Sequence, residues 1–450
     1  NIGWIFSVYI LTQIIASPIS GRLSDLFGRT RVFMCGATLF LIGAFLAGSA
    51  NSMIELVAAR ALQGIGAGAI QPIAYTVMAD LYPGDLRGKM QGLISIVWTG
   101  AAIVGPLLGS IIVETLGWRW VFYVSVPFAL GAMAFAFKLP QQSVTESSAV
   151  DWRGAALLAS ASAIAVYLLL EGAGLGLGIV SGLVAVCASL GGLLNRHLAV
   201  AKAPIIPLKV VKDRRIALSN GLGFLVGVAV MSCIAYLPTF CTKTLHFGPS
   251  KVALIILAVM LGWTLLAWGA GKLLALNVAV RSLTMSGSAL MALGNALAAV
   301  VLLELTRAQA TSGELGYAGA ALIAAAALCG AGMGLATTTS MMAIQMYARP
   351  QDMGVATSLQ LFFRLMGQVF GAALFGGALA MVQRSIAQPA LAELANTASA
   401  LAVSADVEAQ LGGYIAIFGL ASLAGVVALA VSAYLPGAEP NSIAAQTSSG

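Results

Sequence analysis

Apolar runs of about 20 residues recur along the whole of this 450-residue chain, and that recurrence constrains the fold more than any single residue does. A helix needs about 20 apolar residues to cross a hydrocarbon core roughly 30 Å thick. Thirteen such runs lie at roughly 4–21, 32–50, 54–81, 90–113, 120–137, 154–170, 177–195, 216–238, 252–271, 282–303, 316–346, 355–381 and 412–435. A membrane β-barrel would instead show alternating segments of about 10 residues. Hydrophobic residues make up 60% of the chain and charged ones 9%, with a mean hydropathy of +0.95. A soluble domain carries about 25% charged residues, so water is not the main solvent of this surface. The expected class is an all-α polytopic membrane protein.

The 51 glycines suit a membrane bundle, where small residues let helix backbones approach. A net charge of +7 could suggest nucleic acid, but the basic residues sit in short connections between spans, where they set topology. With the polar turn at 21–31 on the cytoplasmic side, 16 Lys and Arg fall in inside connections and 5 in outside ones. That bias obeys the positive-inside rule. It places Asn1 outside and Gly450 inside, an odd number of crossings in a chain that does not begin with Met. The expectation is a parent of fourteen spans whose first helix is absent from this sequence. Bacterial cytoplasmic membrane is the expected location, with lipid bilayer as surroundings and a monomer as the expected state.

The expected organisation is an N-terminal half at 1–138, a linker with an extra helix pair at 139–215, a C-terminal half at 216–436 and a disordered tail at 437–450. The extra pair, 154–170 and 177–195, is closed by a glycine-rich turn that allows only a hairpin. The Ala-rich outside connection 383–410 is read as holding a short surface helix. Cys35, Cys187, Cys233, Cys241 and Cys329 lie in or beside apolar runs without metal-ligand spacing and read as small buried hydrophobes. His197 and His246 read as loop residues without partners. No metal site, cofactor or enzymatic centre is expected, and no phosphate-cradling loop points to ATP.

The turn Gly21-Arg22-Leu23-Ser24-Asp25-Leu26-Phe27-Gly28-Arg29-Thr30-Arg31 is the most informative local feature. Asp25, just past a helix end, can accept from the free N–H groups at another helix's start. Arg29 can pair with a carboxylate at a neighbouring helix end. Within the spans two arginines stand out. Arg60 lies about 9 Å along its helix from Glu55 at 1.5 Å per residue, and Arg364 is near mid-membrane. A guanidinium there costs at least about 2.5 kcal/mol, so both should face the bundle interior. Gly100, Gly105, Pro106 and Gly109 on one span would bend it and flatten one face. No carboxylate lies deep in a visible span.

The Gly-x-Leu-Ser-Asp-x-x-Gly-Arg-x-Arg pattern of Gly21, Asp25, Gly28 and Arg29 resembles the signature loop of the major facilitator superfamily. The match around Arg60-Ala61-Leu62-Gln63-Gly64 is similar to a second motif of that family. The run Gly100–Gly109 resembles its antiporter motif, with Ser110 where a further glycine is usual. Trp118–Tyr123, Asp151-Trp152, Glu171-Gly172 and Gly354–Gly371 resemble its fourteen-span drug:proton antiporters. The signature loop departs from the pattern at Leu26 and Thr30, where a basic residue is usual. Its counterpart Gly271-Lys272-Leu273-Leu274 lacks the acid and the Gly-Arg pair.

The resemblance implies two pseudo-symmetric six-helix halves plus an extra central pair. It implies a latch in the outward-facing state, Asp25 on the helix start at Gly354–Val355 and Arg29 on Asp80, and a part for Arg60 in proton transfer. A substrate cavity is expected among the runs at 54–81, 90–113, 252–271, 316–346 and 355–381. Gln63, Tyr75, Trp98, Tyr236, Thr338, Gln345, Phe363 and Arg364 are candidates to line it. Without the first helix, a gap should expose the glycine faces of Gly64, Gly68 and Gly105. The implied activity is proton-coupled export of amphipathic small molecules by alternating access. Alternatives are export of a lipid, siderophore or amino acid, or a non-transporting membrane sensor or assembly partner.

Overall fold

The computed structural model describes residues 3–82, 84–139, 150–304, 316–394 and 399–436, and among these every regular element is a helix. In chain order the elements are α1 (Gly3–Phe27), α2 (Arg29–Ser49), α3 (Met53–Leu81), α4 (Gly84–Thr115), α5 (Trp120–Tyr123), α6 (Ser125–Ala136), α7 (Trp152–Glu171) and α8 (Leu177–Val200). There follow α9 (Leu208–Lys212), α10 (Arg214–Met231), α11 (Leu237–Lys243), α12 (Pro249–Ala275), α13 (Val280–Glu304), α14 (Gly316–Tyr347), α15 (Met353–Leu394) and α16 (Ser399–Ser432).

Among the described residues 12 helices are long and apolar enough to cross a membrane. The stretch expected at 120–137 is shorter, Trp120–Ala136, and is divided at Val124 into α5 and α6. The hairpin forms as its turn dictates. Helix α7 ends at Glu171, a 3₁₀ turn covers Gly172–Gly174, and α8 starts at Leu177. Among the described residues no separate short helix occupies the connection after 383; α15 and α16 extend into it from both sides. The tail expected to be disordered, 437–450, and positions 140–149 of the linker lie outside the described residues.

Two compact units emerge from the contacts. One gathers Asn1–Pro83, Gly100–Asn220 and Ala343–Met366; the other gathers Gly84–Thr99, Gly221–Met342 and Gly367–Gly450. In the first unit α3 packs along both α1 and α2. The approach of α1 is close at Gly64, where a Cβ would lie 2.1 Å from Thr12 Oγ1 and 2.4 Å from the Tyr9 carbonyl oxygen. Gly68 meets the backbone of Gln13 in the same way. The expected gap is therefore absent at these two glycines, because α1 itself covers them. Gly105 does face open space.

In the second unit α12 crosses the first part of α4 backbone to backbone, with a Cβ on Gly271 falling 2.2 Å from the Gly88 carbonyl carbon. About three turns along α4 from Gly88 and two turns back along α12 from Gly271, Thr99 and Thr264 share a hydrogen bond. Helix α10 passes through a π-helical turn, Ser232–Tyr236, into α11. Pro238 explains the irregularity: it has no N–H to donate to the turn before it.

Candidate functional site

Helix α1 ends where Gly28 takes φ 92°, a left-handed conformation that glycine adopts without strain. The reversal starts α2 at Arg29, while Asp25, four residues earlier, lies in the last turn of α1 and not past its end, against the start of α15. Asp25 Oδ1 accepts from the Gly354 N–H and Oδ2 from the Val355 N–H, both at 2.9 Å. The carboxylate thus takes two of the donors that a helix start leaves unpaired, at the positive end of its dipole. Arg29 closes the cluster. Its Nη1 bonds to Asp25 and donates to Ser24 Oγ at 2.8 Å, and its Nε donates to Asp80 Oδ2 at 3.2 Å. The Asp25 and Arg29 side chains are only 2% and 7% exposed.

Gly21 is required here by space. A Cβ on it would sit 2.1 Å from Ser358 Oγ and 2.6 Å from the Gly354 carbonyl oxygen. The cluster therefore joins the end of α1, the end of α3 and the start of α15 within one compact unit. All five loop and partner residues singled out in the sequence, Gly21, Asp25, Gly28, Arg29 and Asp80, meet at it.

Arg60 on α3 turns towards α1. Its guanidinium stands 4.0 Å from the centroid of the Tyr9 ring, its Nε donates to the Ile5 carbonyl oxygen at 3.3 Å, and its Nη1 bonds to Gln63 Oε1. The backbone acceptor, the amide and the ring face together offset the cost of a guanidinium held away from water. Tyr9 was not singled out in the sequence, where it reads as one aromatic in an apolar run. Its only signal is that its helix must pair with the one carrying Arg60.

The cavity candidates divide by environment. Gln63, Tyr75, Thr338 and Gln345 are buried, and Gln345 Nε2 donates to the Tyr75 carbonyl oxygen at 3.3 Å. Tyr236, at the π-turn, donates to the Ala372 carbonyl oxygen at 2.7 Å and meets Phe375 edge-on. Phe363 packs edge-on against Phe362 and against a core to which α7, α8, α9, α10, α14 and α15 all contribute. Trp98 is 55% exposed. Arg364 is half-buried, and its Nε has no hydrogen-bond partner among the described residues. Gly100, Gly105 and Gly109 all face open space on α4; Pro106 lies on the same helix, its side chain outside the described residues.

The histidine reading needs correction. His197 lies on α8 and is paired: its Nε2 is 2.7 Å from Asp151 Oδ1. Asp151 also accepts from the Gly154 N–H at 2.8 Å and the Ile205 N–H at 3.2 Å. One carboxylate thus caps α7, holds the end of α8 and fixes the chain beyond it. Partial burial raises the Asp151 carboxyl, but the Gly154 N–H, His197 and the Ile205 N–H outweigh that and hold it below the usual carboxylate range. The sequence missed this partner because 46 residues separate the pair.

The model of the Major Facilitator Superfamily matches residues 1–372. The chain belongs to this superfamily. The multidrug transporter protein MdtP of Bacillus subtilis is 29% identical over 383 residues, 84% of this chain and 68% of that protein. Multidrug resistance protein 3 of the same organism is 33% identical over 271 residues, covering 58% of this chain and 52% of that protein. The multidrug efflux pump SdrM of Staphylococcus aureus is 28% identical over 266 residues, 58% and 59% respectively. The chain thus spans between about half and two thirds of the length of these curated relatives.

Solved structures share the superfamily fold. The human organic anion transporter MFSD10 superposes with a TM-score of 0.65 at 15% identity, over 96% of this chain and 83% of that one. The proton:xylose symporter XylE gives 0.61 at 16% identity, over 99% and 88%. At these identities they speak for the fold alone.

Proposed function

We propose that this chain forms the membrane-spanning body of a secondary exporter that moves amphipathic small molecules in exchange for protons. The relatives named as multidrug transporters support the substrate class, and alternating access is the mechanism that bundles of this kind use. The observation that carries the reading furthest is the Asp25–Arg29–Asp80 cluster on the start of α15. It is a compact, breakable ionic contact between helix ends, which suits a latch that opens and closes in each cycle.

Arg60, with Tyr9 and Gln63 against it, is the proposed positioning group for proton coupling. Gln63, Tyr75, Trp98, Tyr236, Thr338, Gln345, Phe363 and Arg364 are the proposed cavity residues. A membrane potential of about 100 mV supplies roughly 2.3 kcal/mol per charge moved, equivalent to a gradient near 50-fold. The test is flux of a fluorescent cationic or neutral amphiphile in proteoliposomes with an imposed pH gradient. Counterflow that follows the gradient and collapses with a protonophore is the expected result. Flux indifferent to the gradient would reject proton exchange. Absence of amphiphile flux with saturable flux of an amino acid or siderophore would favour those substrates instead.

A further inference from the structure

A cleft of about 310 Å³ runs along the first three helices. Helix α1 contributes Thr12, Ile15, Ala16, Ile19, Ser20 and Leu23, and α2 adds Val32, Cys35, Gly36 and Leu39; Ile65 and Ala69 of α3 form the floor. The spacing on α1 is that of a single helical stripe. From Thr12 to Leu23 it extends about 17 Å at 1.5 Å per residue. That is close to half of a hydrocarbon core roughly 30 Å thick, so the cleft is one leaflet long.

Its walls offer nothing polar to an occupant. The Thr12 hydroxyl donates back to the Val8 carbonyl oxygen at 2.9 Å. The Ser20 hydroxyl is 2.9 Å from each of the Ser17 and Gly68 carbonyl oxygens. A drug with fixed polar groups would find no partner here, whereas a hydrocarbon chain needs none.

At the end of the cleft the lining residues Leu23 and Val32 are each directly preceded in the chain by an arginine, Arg22 and Arg31. Arg31 lies four residues before Cys35, so the two share one face of α2, and Arg31 is exposed with no ion pair among the described residues. Arg22 lies three residues after Ile19, and its buried Nε has no hydrogen-bond partner among the described residues. The first turn of α2 adds N–H groups that no side chain caps, since its preceding residue is Gly28. Each of these features favours an anion at headgroup depth.

We propose that this cleft holds an anionic phospholipid, one acyl chain lying along α1, α2 and α3 and the phosphate between Arg22 and Arg31. The bound lipid fills the side of the helices that lead into the Asp25 latch. This site is independent of the transport reading, because it concerns occupancy and not flux.

The test is native mass spectrometry of the full chain released from nanodiscs that contain equal amounts of phosphatidylglycerol and phosphatidylcholine of matched chains. The expected result is one phosphatidylglycerol retained in preference to phosphatidylcholine. Arg31→Gln should weaken that preference by about fivefold, the effect of roughly 1 kcal/mol per basic residue near the surface. Cys35→Trp, which fills the cleft, should remove retention of both lipids while the protein remains monodisperse by gel filtration. A second readout is maleimide labelling of Cys35 in detergent, which added phosphatidylglycerol should slow and inorganic phosphate should leave unchanged. Equal retention of the two lipids, or unchanged retention in Cys35→Trp, would overturn the proposal. Displacement of the lipid by a transported amphiphile would overturn it too, by making the cleft part of the substrate path.

Discussion

At the scale of single residues, the ionic cluster carries the largest expected effects. Asp25→Ala leaves the Gly354 and Val355 N–H groups without acceptors and removes the near counter-charge of Arg29. Breaking a buried pair from one side costs about 3–5 kcal/mol, and the low end is expected because Asp80 still faces Arg29. Thermal unfolding in detergent measures it; a loss below about 1 kcal/mol would place the pair with solvent-exposed ones. Arg60→Lys keeps the charge but loses the planar fork and the stacking on Tyr9. Export should fall strongly while expression and monodispersity hold, and normal export would leave Arg60 a structural role. The residue types were legible in the sequence, as were the pairings of Asp25 and Arg29 once the resemblance supplied them. Tyr9 and the Asp151–His197 pair were not, because hydrogen bonds between distant positions leave no periodic trace.

At the scale of elements, helix crossings separate two kinds of glycine. Gly271 touches the backbone of Gly88, so Gly271→Ala must push α4 and α12 apart, at about 1–3 kcal/mol for an overpacked contact. Gly105→Ala adds its methyl group to open space and should leave stability unchanged or slightly raised, since alanine is the better helix former. Any loss of export in Gly105→Ala with unchanged unfolding would then report on movement of α4 and not on its packing. The reverse ranking of the two variants in a thermal-shift measurement would contradict the assigned crossings.

The hairpin α7–α8 gives a pH-dependent counterpart. The folded Asp151 carboxyl titrates below its unfolded value, so its stabilisation is complete above the usual carboxylate range. It is lost as pH falls through the folded value, below the ordinary aspartate range. Hydrogen exchange at the Gly154 and Ile205 amides should therefore quicken at low pH, and in Asp151→Asn the acid-dependent step should disappear. An unchanged acid step in that variant would assign it to another group.

At the scale of the whole molecule, orientation follows from the charge distribution of the connections. With 16 basic residues in the connections expected inside and 5 in those expected outside, a cysteine at Lys209 should label only from the cytoplasmic face, and one at Ser385 only from outside. Both would be tested on a Cys35→Ser background with an impermeant maleimide in right-side-out vesicles. Labelling of both from the same face would break the alternation on which the topology rests. The two compact units do not follow chain order at their edges: α4, α10, α14 and α15 each contribute to both. Sequence periodicity marks where a helix begins and ends, and carries no information on which neighbour each of its turns meets.

The sequence by itself determined the solvent, the helices and the family. These depend on apolar length, loop charge and short local motifs, which the bilayer reads almost residue by residue. Tertiary structure alone decided that α1 covers Gly64 and Gly68, that Tyr9 faces Arg60, and that Asp151 holds His197 and Ile205. It also decided that an apolar cleft opens beside α1. All of these depend on the rotation of each helix about its own axis. In lipid no hydrophobic difference between faces fixes that rotation, so close packing and hydrogen bonds to neighbouring helices set it.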